Sequence, residues 1–536
     1  MTQTMSERIK AARLNQAPHL IVEARAGTGK TTTLISSLKN LKGETPSITP
    51  SALQVAIWDA IALSANARTI CFVAFNKSIA SELERKVPAG CEAMTMHSMG
   101  YRAVRAAWNL QKGSKAIQQY KVRNIIETIT KRSWSKLETV SPGLGPATEK
   151  LVSLCKSNLV GDYIKEEYHV ESHELDALAS HYDVDLQNEA SKVFELVPQV
   201  LTECADIGKH ACIDFDDMIW LPIVHDLNIF TYDLLLVDES QDLNPCQQEL
   251  AIKAGDRLIL VGDPKQAIYG FAGADAKSIE NMFNRLRATT RGCDRLPLNI
   301  TYRCGKAIVK HVNRLVPDLV AHDNNPAGWI GEANFRKDGE NDESYHDLVE
   351  PGDMILCRVN APLVSECFKF LKAGRRANIQ GRDIGAGLLK LIERLTKGFE
   401  SDDDAEEMRD LKINLEQWHD HEVELEMLKK FASESKIIAL GDKYDCLCCF
   451  CDECDSVDDL KRKINSVFTN DANQSAILLS SGHKAKGLEA ERVFILEPDG
   501  ATCPHPMARS AWQMDQEWNL RYVMETRAIE DLYFVS

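Results

Sequence analysis

One short stretch near the N-terminus constrains this chain more than any other. The apolar run His19–Ala24 leads into Ala24-Arg25-Ala26-Gly27-Thr28-Gly29-Lys30-Thr31, and a helical pattern follows. A buried strand, a glycine-rich turn and a helix opening on Lys-Thr together make a phosphate cradle. The glycines let backbone N–H groups approach phosphate oxygens, and the helix N-terminus adds its positive dipole. In that geometry Lys30 reaches the β- and γ-phosphates and the Thr31 hydroxyl ligates Mg²⁺, while Ala26, Gly27, Thr28, Gly29 and Thr32 line the loop. Such a loop needs a parallel sheet behind it, so an α/β architecture is predicted.

The remaining apolar runs agree. Thr69–Phe75, Tyr232–Val237 and Arg257–Val261 form one set with His19–Ala24; Met354–Val359, Ala476–Ser480, Arg492–Leu496 and Asp531–Val535 form a second. Short, wholly apolar runs with helical patterns between them read as strands buried on both faces. Two sets predict two doubly wound α/β domains, each interrupted by a long stretch without strand signals. The expected layout is a first domain at residues 1–100 and 206–295, with a helical insertion at 101–205. A second domain follows at 296–390 and 471–536, with a second helical insertion at 391–470 that carries the acidic run Glu400–Glu407.

A phosphate loop alone leaves the chemistry open. The second half comes at Leu234-Leu235-Leu236-Val237-Asp238-Glu239, four apolar residues ending in two acids. At a strand's end, Asp238 can hold Mg²⁺ and Glu239 can polarise an attacking water.

Further blocks carry a family resemblance. They are Ala74-Phe75-Asn76-Lys77-Ser78, Thr95-Met96-His97-Ser98, Val237-Asp238-Glu239-Ser240-Gln241-Asp242 and Gly262-Asp263-Pro264-Lys265-Gln266-Ala267-Ile268-Tyr269. Downstream lie Thr301-Tyr302-Arg303, Gly381-Arg382-Asp383-Ile384-Gly385, His483-Lys484-Ala485-Lys486-Gly487-Leu488-Glu489 and Tyr522-Val523-Met524-Glu525-Thr526-Arg527-Ala528. In this order the chain resembles superfamily 1 DNA helicases of the UvrD/Rep/PcrA type, in particular the compact branch of F-box DNA helicases and bacteriophage helicases. The phosphate loop in that family is written AxxGxGKT, which accounts for Ala24 where the generic pattern has glycine.

The resemblance implies ATP and Mg²⁺ bound between two RecA-like domains. It assigns Lys30, Thr31, Asp238, Glu239 and the γ-phosphate sensor Gln266 to the first, and two transition-state arginines, Arg303 and Arg527, to the second. Tyr302 is implied to stack on adenine, and Gly487 and Glu489 to lie by the ribose. Phe75, Tyr269 and Phe271 are implied base-stacking aromatics, with Asn76, Lys77, Thr95, His97 and His483 as phosphate or sugar contacts. Phe271 stands where a tryptophan is common in this class. The implied activity is 3′-to-5′ movement along single-stranded DNA with duplex unwinding, in replication, repair or recombination, by a monomer acting at single-strand/duplex junctions with replication or repair proteins as partners. Two alternatives stand beside it: a translocase that strips bound proteins, and a regulatory module without turnover, against which the intact Lys30, Asp238, Glu239, Arg303 and Arg527 argue. One departure concerns the adenine-reading glutamine that the family carries upstream of the loop, because neither Gln3 nor Gln16 has its spacing.

Charge and cysteine add two local features. The chain is acidic overall, with a net charge of −16. Yet Arg102–Lys136 holds nine Lys or Arg and a single acid, Glu127, with Tyr101, Trp108, Tyr120 and Trp134 interleaved. This segment reads either as a DNA-guiding surface or as a solvated helix face backed by core aromatics. Cys446, Cys448, Cys449, Cys451 and Cys454 crowd a nine-residue span and read either as an apolar helix face or as a metal site. No run approaches the roughly 18 apolar residues that a membrane span takes, and the first residues lack a secretory signal's apolar centre. Those features predict a cytoplasmic protein (the host cytoplasm for a phage enzyme) with no membrane partner and reduced cysteines. The chain stops about nine residues past Arg527, so no appended nuclease is expected.

Overall fold

In the computed structural model, the apolar runs are strands and the chain divides into two units, Met1–Asn299 and Ile300–Ser536. The structure describes residues 17–536 except 47, 111–115, 142, 183, 187–188, 211, 271–276, 336–343, 398, 400–402, 429–433, 470–475, 498–502, 507 and 509–510. The expected boundary at 295/296 falls inside the strand Cys293–Leu298, which pairs within the first unit's sheet and so carries that unit further.

The strands of the first unit are β1 (His19–Ala24), β2 (Ile70–Ala74), β3 (Cys91–Thr95), a short antiparallel hairpin of β4 (Asp162–Ile164) and β5 (Glu167–His169), then β6 (Tyr232–Val237), β7 (Gly255–Gly262) and β8 (Cys293–Leu298). All but the hairpin form one parallel sheet in the order β3-β2-β6-β7-β1-β8. Alternate residues of the central strands feed two cores. Leu20, Val22, Phe72, Leu234, Leu236, Ile259 and Val261 pack on one face, and Ile21, Cys71, Val73, Leu235, Val237, Leu258 and Leu260 on the other. Burial on both faces explains why these strands are apolar at every position. Because β6, β7 and β1 are parallel neighbours, their carboxyl ends collect Glu239, Asp263 and the phosphate loop on one edge, where open α/β sheets bind ligands.

Among the described residues the elements of the insertion between β3 and β6 are helices and one hairpin, which the sequence reading missed because each of its strands has only three residues. Its helices Lys121–Thr130, Leu144–Asn158 and Ala190–Ala205 are tied to the segment that enters the helix Asp217–Val224 by a buried charge network. Lys121 Nζ donates to Asp217 Oδ2 at 2.7 Å and to the Cys204 carbonyl at 2.8 Å. Lys156 Nζ donates to Asp217 Oδ1 and to Asp214 Oδ2, both at 2.8 Å. Burial alone would push the Asp217 carboxyl up, but Lys156 and Lys121 hold it down at about 2.

In the second unit, β9 (Ile300–Thr301) pairs with β10 (Val320–Ala321). The main sheet follows, with β11 (Trp329–Ala333), β12 (Met354–Cys357), β13 (Ala377–Gln380), β14 (Phe468–Thr469), β15 (Ile477–Ser481), β16 (Ala490–Leu496) and β17 (Ala528–Val535). It is parallel, in the order β11-β17-β16-β12-β15-β13-β14. The second insertion lies between β13 and β14 and starts earlier than expected, with helices at Arg382–Leu395, Asp404–Met427, Glu434–Cys451 and Val457–Val467. The cysteine cluster sits on the third of these and just beyond it. Cys446, Cys451 and Cys454 are buried in the core with Leu447 and Phe450, and Cys448 and Cys449 pack partly against it. Burial pushes the Cys449 thiol up to about 11 and Cys451 up to about 12, the opposite of what thiolate ligation needs. Among the described residues no group of three or more His, Cys, Asp or Glu is placed to hold a metal, and no helix is long and apolar enough to cross a membrane.

The buried network predicts that Asp217→Asn, which strips two buried ammonium groups of their shared partner, destabilises the first unit by about 3–5 kcal/mol. Chemical denaturation checks this, and an unchanged unfolding midpoint would contradict it.

Candidate active site

The phosphate loop is held open by backbone geometry. Gly27 and Gly29 have φ of 67° and 72°, the left-handed region where a side chain is strained. Thr28 is buried and donates its hydroxyl to the Arg25 carbonyl at 2.9 Å, so it braces the loop from within. Ala26 is buried beside it. The helix Lys30–Leu41 starts without a side-chain cap, which leaves its first turn to an anion. Thr32 is exposed at that turn.

Lys30 Nζ lies 2.8 Å from Glu239 Oε1, and the Thr31 hydroxyl donates to Asp238 Oδ2 at 2.5 Å. Burial would lower the Lys30 pKa; Glu239, Asp238 and Asp263 outweigh it and hold the ammonium above its usual range. Burial and the adjacent Glu239 push Asp238 up, against Lys30. Burial likewise raises Asp263, which Arg25 approaches to 3.7 Å. Glu239 has a φ of 52°, unusual for a non-glycine residue, and this turns it off the line of β6. Gln266 is buried and donates its amide to Asp263 Oδ2 at 2.7 Å. The site fits a divalent cation: the Thr31 hydroxyl and Asp238 carboxylate are adjacent hard oxygen donors, and the surrounding carboxylates are short of positive charge.

A separate constellation forms in the second unit from residues far apart in sequence. Arg303 Nε pairs with Glu489 Oε2 at 2.6 Å. Arg527 is buried and donates to the carbonyls of Val523 at 2.8 Å and Leu488 at 3.1 Å. Burial and the neighbouring Arg303 push the Arg527 pKa down to about 10, and the Glu489 carboxylate acts on both guanidinium groups. Tyr302 is 41% exposed and leans on His322, with centroids 4.8 Å apart, so it is not a core tyrosine. Gly487 has a φ of 91°.

Of the residues predicted to touch a nucleic-acid strand, Phe75 and Tyr269 are brought together, their rings stacked at 6.0 Å and 12°. Phe75 is 49% exposed, and Asn76 and Lys77 are exposed beside it. Asn76 Oδ1 and Thr95 Oγ1 already accept from Ile79 N and Ser98 N as helix caps, and Thr95 is buried. Their first role is therefore structural. Burial lowers the His97 pKa, and burial with Arg358 lowers His483 to about 4, so both rings are neutral at pH 7. They can donate or accept a hydrogen bond but cannot neutralise a phosphate. Phe271 lies outside the described residues, as do Gln3 and Gln16.

The sequence reading missed Phe215. It is 56% exposed, although Asp214 and Asp217 on either side of it are buried in the charge network. The available signal was a lone aromatic inside Ile213-Asp214-Phe215-Asp216-Asp217, a hydrophobe in an acidic turn. The basic segment also needs correction. Lys121 is buried in the network, Arg102 pairs with Glu92 at 2.6 Å and Arg123 pairs with Glu149 at 3.0 Å while lying 4.7 Å over the Trp134 ring. Trp108 and Trp134 pack on the core. Lys131, Arg132 and Lys136 remain as an exposed basic cluster, and Lys112 and Lys115 lie outside the described residues.

The sheet and loop define a P-loop nucleotide-binding protein, and comparison with known proteins narrows the class. Residues 5–287 match the model of the UvrD/REP helicase N-terminal domain, and residues 390–536 match that of the UvrD-like helicase C-terminal domain. The chain belongs to the UvrD-like helicase family. It is 24% identical to F-box DNA helicase protein 1 of Schizosaccharomyces pombe over 97% of this chain and 56% of that protein. It is 24% identical to the ATP-dependent DNA helicase PcrA of Leuconostoc citreum over 72% of this chain and 48% of that protein. Similarity to DNA helicase II of Escherichia coli is 27% over 28% of this chain and 21% of that protein. The chain spans about half the length of the two F-box helicases it matches end to end.

Since folded His483 stays neutral to about 4, the unfolded chain takes up a proton near 6.5 that the folded chain refuses. Stability carried by His483 is therefore complete above pH 6.5 and is lost as pH falls towards 4. Thermal unfolding at pH 7.5 and pH 5 should show a smaller acid-induced drop for His483→Asn than for the parent chain. Equal drops would contradict this.

Proposed function

We propose that this chain is an ATP-dependent DNA helicase or translocase that moves 3′ to 5′ along single-stranded DNA. The observation that carries the reading is the convergence of Lys30, Thr31, Asp238 and Glu239 at the carboxyl ends of β1 and β6, the two parallel strands that flank β7, whose own end leads to Gln266. Without nucleotide, Lys30 and Glu239 neutralise each other. An incoming triphosphate competes for the Lys30 ammonium, and its release frees Glu239 to orient water and accept its proton. Mg²⁺ held by Thr31 and Asp238 would offset the phosphate charge. The family resemblance gives Arg303 and Arg527 the transferring phosphoryl group to act on. A planar guanidinium suits charge spread over a transferring phosphoryl group, and two of them beside one carboxylate leave positive charge for an anion. The nucleotide would displace Glu489 from Arg303, and Tyr302, already exposed, would offer its ring to the base.

The strand would run over the stacked Phe75 and Tyr269, with Lys77 contacting phosphates and Phe215 providing a further exposed ring. The reading places the protein in DNA replication, repair or recombination, as a monomer at single-strand/duplex junctions, with replication or repair proteins as partners and the cytoplasm as its compartment. The 3′-to-5′ direction rests on the resemblance of the blocks ending at Glu489 and Arg527 to the UvrD type.

Strand displacement on duplexes with either a 3′ or a 5′ single-stranded tail tests the proposal. Unwinding from the 3′ tail alone, abolished by Lys30→Ala, is expected. Unwinding from the 5′ tail contradicts the direction, and ATP turnover without unwinding favours the stripping translocase. A second measurement concerns the exposed basic cluster. Replacing Lys131, Arg132 and Lys136 with glutamate should weaken DNA binding and flatten its salt dependence by about one unit of slope per lost phosphate contact. Unchanged affinity and slope would remove that cluster from the DNA surface.

A further inference from the structure

The acid that faces Lys30 and the segment that carries Tyr269 are joined by a single side chain. Gln241 is 2% exposed, and its amide is used at both ends. Nε2 donates to Glu239 Oε2 at 2.6 Å and to Asp242 Oδ2 at 3.0 Å. Oε1 accepts from the backbone N–H of Asp263 at 3.0 Å. Asp263 in turn accepts from Gln266 Nε2 at 2.7 Å, and Tyr269, three residues on, stacks on Phe75. A second observation is independent of these bonds. A Cβ on Gly262 would lie 2.5 Å from Gln241 Oε1 and 2.9 Å from its backbone nitrogen. The glycine therefore keeps open the space that the amide occupies between the ends of β6 and β7.

We propose that Gln241 is a positioning residue that couples the Lys30–Glu239 pair to the Asp263–Tyr269 segment, so that strand occupancy at Phe75 and Tyr269 sets how Glu239 is aimed. The inference rests on the helicase reading above. Only a side chain that both donates and accepts serves here: a carboxylate keeps the bond from Asp263 N–H but cannot donate to Glu239, and a thioether does neither. When a triphosphate takes Lys30 from Glu239, Gln241 remains the partner of that carboxylate. A shift of Asp263 towards or away from the sheet then moves Glu239 with it. The link works in both directions, as any coupling between two sites must.

The test is steady-state ATP hydrolysis by the full chain with and without single-stranded oligonucleotide, alongside nucleotide and oligonucleotide binding. For Gln241→Met the ratio of kcat with DNA to kcat without it should fall about tenfold, a loss in the range that residues linking two sites command. KM for ATP and the affinity for the oligonucleotide should stay within about twofold, since neither ligand touches Gln241. The isosteric Gln241→Glu should show the same loss of stimulation, and it supplies the reading if the methionine variant does not fold. Gly262→Ala, which evicts the amide without altering it, should reproduce the phenotype. The double variant Gln241→Met/Gly262→Ala should be no worse than either single one, because both break one link. Stimulation that survives in Gln241→Met and Gln241→Glu overturns the proposal. So does an equal fall in stimulated and unstimulated kcat, which would make Gln241 a prop for Glu239 alone, and so does a multiplicative loss in the double variant. A parent chain without ATP turnover instead overturns the helicase reading, which is a separate result.

Discussion

A buried lysine among carboxylates governs the first unit's site. Lys30 meets Glu239 at 2.8 Å and feels Asp238 and Asp263, so its ammonium stays charged despite burial. Everything nearby is arranged around that charge. The left-handed glycines turn the loop so that Lys30 leads the helix, and the αL backbone of Glu239 brings its carboxylate across to meet it. The phosphate cradle is thus held in shape by an internal counter-ion, which in the proposed function a triphosphate would replace. Charge exchange of this kind makes nucleotide arrival a structural event, because Glu239 must find other partners once Lys30 is taken.

The second unit shows the same economy with opposite sign. Arg303 is held by Glu489, and Arg527 is spread over main-chain carbonyls of Val523 and Leu488. Arg303 is thus tied to a carboxylate, whereas Arg527 is held by main-chain carbonyls. The buried Lys121–Asp217–Lys156–Asp214 network works differently. It is closed and fully paired, and it anchors the helical insertion to the turn that presents Phe215.

How much of this was legible in the sequence depends on where each strand sits. The eight runs read as strands are β1, β2, β6 and β7 of one sheet and β12, β15, β16 and β17 of the other, all central. Of those missed, β3, β8, β11 and β14 are the edge strands, and β13 is an interior strand of only four residues. Edge strands such as Cys91–Thr95 and Cys293–Leu298 are partly exposed and carry polar residues or proline, so they show no apolar run. The phosphate loop, Asp238 and Glu239 were readable because chemistry fixes their spacing along a strand–turn. Both readings of the basic segment left Lys121 exposed, because its buried partner, Asp217, lies 96 residues away. The use of Thr95 as a buried cap and the role of Gln241 were equally hidden, since both depend on contacts made only in three dimensions.

The part proposed for Arg303 in ATP hydrolysis is most directly tested by single-turnover hydrolysis in Arg303→Ala, with ATP binding measured in parallel. Arg303 is only partly buried, so its removal leaves the core intact. Binding should stay within a few-fold of the parent while hydrolysis falls by about 10³ or more, as removal of a transition-state arginine does. Hydrolysis within about twofold of the parent would contradict the role proposed for Arg303.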